Sequence, residues 1–76
     1  MFNLFSGKPR TKVGKWLDKR GISQEWLANK TKLNRTTISK IASDTDYEPR
    51  LSTIKKVMKA IKEVDPNKNT DDFFDI

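Results

Sequence analysis

Between Ser23 and Ala42 the chain reads SQEWLANKTKLNRTTISKIA, and this stretch holds the side chains with the most chemistry to offer. From Asn34 onward, small polar and basic groups fall on one face of a helix and isoleucines on the other. Arginine presents two parallel N–H donors that match O6 and N7 of a guanine, and lysine reaches the same atoms. The methyl group of a threonine suits the methyl of a thymine. A helix divided in this way can lie in the major groove of duplex DNA while the protein holds its apolar side.

Such a helix needs elements to position it, and the flanking residues supply their signals. Ser23 is a good N-cap for a first helix, with Ile22 before it and Leu27 after it as a hydrophobic staple. Asn34 repeats the arrangement for the second, with Leu33 and Ile38 as the staple. Two helix starts this close leave room for about two turns and a short corner, Thr31-Lys32-Leu33. Ala28 is small enough to let the pair approach closely. Upstream, Thr11 to Arg20 is expected to be helical. Val13, Trp16 and Leu17, with the stem of Arg20, form its apolar stripe, and Gly21 stops it in the C′ position. The spacing makes Trp16 a core residue rather than a binding aromatic. Downstream, residues 43–49 read as a loop. A long amphipathic helix follows, with Leu51, Ile54, Val57, Met58, Ile61 and Val64 on one stripe, and closes the core beneath the helix pair. Asp65-Pro66-Asn67 ends it. Thr70 is expected to cap a last short turn, with Asp71 and Asp72 at its positive end, so that Phe73, Phe74 and Ile76 pack back. No strand-like alternation, repeat or low-complexity segment is present.

These elements make an all-α fold: one domain over residues 11–76, preceded by an N-terminal arm over residues 1–10. Phe2, Leu4 and Phe5 in the arm either cover an edge of the core or belong to a basic arm that reaches DNA phosphates. The 76-residue chain leaves no room for a separate effector domain. It contains neither cysteine nor histidine, which excludes disulfides, Cys/His zinc sites and thiol or imidazole catalysis. Asp71, Asp72 and Asp75 are the carboxylates that could in principle hold a divalent metal. Helix-end electrostatics explains them better, so no metal, cofactor or enzymatic activity is expected. No apolar run spans a membrane, and Met1 to Phe5 is too short for a leader, so a cytoplasmic protein of a bacterium or a phage-infected host is expected.

The net charge is +6, unevenly spread. Residues 1–40 carry ten basic groups against Asp18 and Glu25, a balance of +8. Residues 41–76 carry six against eight acids, a balance of −2. A basic front and an acidic back favour an oriented encounter with a polyanion.

Gln24-x-x-Leu27-Ala28 followed by Leu33-Asn34-Arg35-Thr36-Thr37-Ile38-Ser39-Lys40-Ile41 resembles the helix-turn-helix of the Cro/Xre family of phage-repressor-like regulators. The similarity covers about residues 11–64. It implies a compact five-helix DNA-binding domain with the motif at helices 2 and 3. By that resemblance, Arg35, Thr36, Ser39 and Lys40 face base edges, with Asn34 and Thr37 at the margin on the backbone. Gln24 would bond a phosphate and brace the recognition helix, next to Ser23 at the helix start. Tyr47 and Arg50 would touch backbone or minor groove. The chain departs from the family at Lys32, where glycine is common, and at Ala42 and Asp44, where glutamate and glycine are common. Asp44 tolerates the left-handed geometry that such a glycine serves.

The function implied is a sequence-specific regulator of transcription, a repressor of a phage, prophage or mobile element. The partner would be double-stranded DNA with a palindromic operator, bound by a homodimer that in some small relatives forms only on DNA. The C-terminal aromatic end is the expected dimer contact. The rival reading is a protein-interaction module of the same fold, an antitoxin or antirepressor partner, docking through Phe2, Leu4 and Phe5 or through Phe73, Phe74 and Ile76. RNA binding is weaker still, because no surface ladder of aromatics is evident.

Overall fold

The computed structural model describes residues 10–75. Of the expected arm only Arg10 is among them, so Phe2, Leu4 and Phe5 lie outside the described residues, as does Ile76. The described chain forms α1 (Lys12–Arg20), α2 (Gln24–Thr31), α3 (Arg35–Ser43) and α4 (Leu51–Val64), then a 3-10 turn at Thr70–Asp72. Four α-helices stand where five were expected. The last reduces to that single turn, because the aromatic pair directly after it packs inward. Its cap is Asn69 rather than Thr70, and the Asp72 carboxylate accepts the Asn69 N–H at 2.7 Å.

α1 starts one residue later than expected because Thr11 is itself the cap: its Oγ1 accepts the Gly14 N–H at 3.0 Å. Val13, Trp16 and Leu17 are buried, as their spacing requires. The side chain of Arg20 remains 45% exposed and carries its head to Asp65, rather than covering the core with its stem. Gly21 ends the helix at φ 67°, a left-handed conformation that costs glycine nothing, and Ile22 N–H bonds back to the Leu17 carbonyl at 2.9 Å.

α3 packs against both α1 and α2, and α2 also packs against α4. At the centre, Leu17, Leu27, Ile38, Val57 and Ile61 are almost wholly withdrawn from water. A buried aliphatic side chain of this kind contributes about 2 kcal/mol. Leu51 and Val64, expected on the α4 stripe, are instead exposed, since they are the first and last residues of the helix and overhang the neighbours. Phe73 and Phe74 do pack back, half-buried, and Phe73 meets Trp16 edge to face with ring centroids 6.2 Å apart.

α1 is tied to the end of α4 through Asp65. The Trp16 indole donates to its Oδ2 at 2.8 Å, and Arg20 bonds its Oδ1. The indole bond does most to hold this carboxyl below its ordinary 3.8; partial burial works against it, and Arg20 lowers it further.

Candidate nucleic-acid interface

α2 and α3 meet at the corner foreseen at Thr31-Lys32-Leu33, and its polar groups are accounted for. Thr31 is buried, yet its hydroxyl donates to the Leu27 carbonyl at 2.7 Å and accepts the Leu33 N–H at 3.3 Å. Lys32 takes the left-handed conformation at φ 63° and bonds its N–H to the Ala28 carbonyl at 2.8 Å. It is the only non-glycine with positive φ among the described residues. The position thus demands the backbone that glycine serves elsewhere, at a cost of about 1 kcal/mol for lysine. Asp44 does not need its tolerance of that region, because it ends α3 at φ −99° and ψ 100°.

Asn34 caps α3 as expected, its Oδ1 accepting the Thr37 N–H at 2.8 Å. That bond uses the carbonyl oxygen and leaves the amide hydrogens of Asn34 as donors at the surface. Ser23 does the same for α2, accepting the Trp26 N–H at 3.1 Å and keeping its own hydroxyl hydrogen. Helix geometry leaves the Arg35 and Thr36 N–H groups without intrahelical partners, at the end where the dipole attracts anions.

Along α3, Ile38, Ile41 and Ala42 are buried, whereas Arg35, Thr36, Ser39 and Lys40 are exposed. These four span a continuous arc of the helix, so the structure brings the expected base-facing residues together on one open surface. Thr37 is half-buried at its margin, and Gln24 is half-buried at the start of α2.

Tyr47 is half-buried against the core in the loop after α3, with Lys40 Nζ 5.7 Å from its ring centroid. The loop is shaped by Asp44, whose side chain accepts the Asp46 N–H at 3.0 Å and whose carbonyl accepts the Tyr47 N–H at 3.1 Å. Arg50 is exposed at the N-terminus of α4 and makes no capping bond.

Several residues that shape this surface carry no clear sequence signal. Arg35 Nη2 donates to Glu25 Oε2 at 2.6 Å across the corner, a pairing that neither helix's own periodicity reveals. Lys30 bonds Glu63 at 2.8 Å and lies 5.8 Å from the Trp26 ring centroid, fastening α2 to α4. Trp26 is half-buried against the core rather than part of the open face.

Among the described residues no cluster of three metal-ligating side chains occurs, and no helix is long and apolar enough to cross a membrane. A family model described as Helix-turn-helix matches residues 13–68. No curated protein and no solved structure gives a significant match.

Proposed function

The chain belongs to the Cro/Xre-type helix-turn-helix family, and from that premise we propose that it reads a specific site on double-stranded DNA by laying α3 in the major groove. The family is one of DNA-binding regulators, typically without catalysis. One observation carries the finer reading: the arc of Arg35, Thr36, Ser39 and Lys40 is exposed while the opposite side of α3 is locked into the core. In this reading those four touch base edges, and Ser23, Gln24, Asn34, Thr37, Tyr47 and Arg50 meet the backbone. Thr37 and Tyr47 are half-buried and so contribute at the edge of the contact.

The regulator acts as a repressor of a phage, prophage or mobile element, by analogy with the family. It binds as a homodimer on a palindromic operator, since one module covers little DNA. Phe73 and Phe74 are largely spent on the chain's own core, which leaves Leu51 and Val64 as the large apolar side chains open to a second copy among the described residues.

Selection of bound fragments from a random duplex library tests the reading. A palindromic consensus is expected, with affinity falling steeply as salt rises because bound phosphates release counterions. Failure to retain any duplex in dilute buffer, or binding to a protein partner that salt leaves untouched, would overturn it.

A further inference from the structure

We propose that Glu25 is a specificity-determining residue that acts through Arg35, steering its guanidinium toward a base and away from phosphates. This rests on the reading of α3 as the base-contacting helix. The two side chains meet at 2.6 Å, and both are largely open to solvent, 78% for Arg35 and 56% for Glu25. An ion pair so exposed contributes little to folding. Its consequence lies in where it leaves the arginine.

Arg35 is the first residue of α3, where the helix dipole disfavours a cation, and α3 contains no acidic residue to hold it. Glu25 lies in the first turn of α2, where the same dipole favours an anion, so the carboxylate is well placed before it meets any partner. Guanidinium carries five donors in a rigid plane. A single bond through Nη2 restricts where the guanidinium can go and still leaves a two-donor edge free, which is what guanine O6 and N7 require.

The carboxylate also has an effect on the wrong DNA. Where no guanine faces Arg35, the arginine stays paired, and its attraction for nearby phosphates is largely cancelled. Glu25 thus lowers sequence-independent binding while sharpening one base preference, so that discrimination is gained from both sides.

The test is library selection, with binding to a random duplex measured in parallel, for the wild-type chain, Glu25→Gln, Arg35→Ala and the double variant. Glutamine keeps the shape and removes the charge. Glu25→Gln is expected to tighten random-duplex binding about threefold and to make it more salt-sensitive. It should relax preference about three- to tenfold at the same base pair that Arg35→Ala relaxes, with no additional loss in the double variant. Unchanged melting temperatures would confirm that folding is not the cause. A Glu25→Gln consensus identical to wild type, or a further loss in the double variant, overturns the role of Glu25 and leaves base reading by α3 standing. An Arg35→Ala variant that keeps every base preference overturns the arginine's base contact, and the role of Glu25 with it.

Discussion

At its C-terminal end α3 is held by α1 and the two residues that lead into it, whereas at its N-terminal end it is finished by its own cap and opens to solvent. Thr11 donates its N–H to the Ala42 carbonyl at 3.2 Å and its hydroxyl to the Ile41 carbonyl. Arg10 bonds Ser43 Oγ at 2.9 Å while also gripping Asp18. Gly14 lets α1 come so close that a Cβ there would lie 2.0 Å from the Ala42 oxygen. At the other end, Asn34 secures the first turn, and the side chain of Arg35 is touched only by Glu25 among its ion-pair partners in the described residues. The contrast separates two tasks on nine residues. One end fixes where the helix axis points, and the other keeps its donors available, as a preorganised binding surface requires.

The strongest way to break this arrangement is Gly14→Ala. The added carbon meets backbone, which cannot swing aside, so a loss of at least about 2 kcal/mol in urea unfolding is expected. Arg35→Ala works on the open end and should do the reverse. It should cost about 1–3 kcal/mol on the selected site while leaving stability within about 0.5 kcal/mol. Equal losses on selected and random duplexes would show that the open end does not read bases. Asn34→Ala removes the local cap, and thermal or urea unfolding should register about 1 kcal/mol. Lys32→Gly relieves the left-handed strain at the corner, partly offset by the freedom glycine gains when unfolded. A gain of about 0.5 kcal/mol, or roughly 3 °C in melting temperature, sharpens the comparison by adjusting the corner without touching either end of α3.

The open end was more legible in the sequence than the anchored one, for a physical reason. Caps are local: Ser23 and Asn34 act on amides three residues away, so their type and spacing announce them. The same holds for Gly21 and for the demand that the corner places on Lys32. The anchored end depends on Arg10 and Thr11 reaching across thirty or more residues to α3, and nothing in the spacing of either segment records that distance. Glu25 has a sufficient local explanation at a helix start, which hides its partner across the corner. Leu51 and Val64 fit the α4 stripe by periodicity but overhang it, because a wheel carries no information about how far a neighbouring helix extends. Asn69 and Thr70 are both acceptable caps, and only the Asp72 carboxylate decides between them.

The Trp16–Asp65 contact equips the molecule with its own indicator of acid. Because the folded carboxyl titrates below its ordinary 3.8, its contribution is in place above that value and fades as the pH falls through the lower, folded one. In a Trp26→Phe chain, where Trp16 emits alone, the emission should shift as the indole N–H loses its anionic acceptor and the seam between α1 and the end of α4 loosens. An Asp65→Asn chain should show no such step in that range, which makes the fluorescence a label-free record of whether this seam is shut.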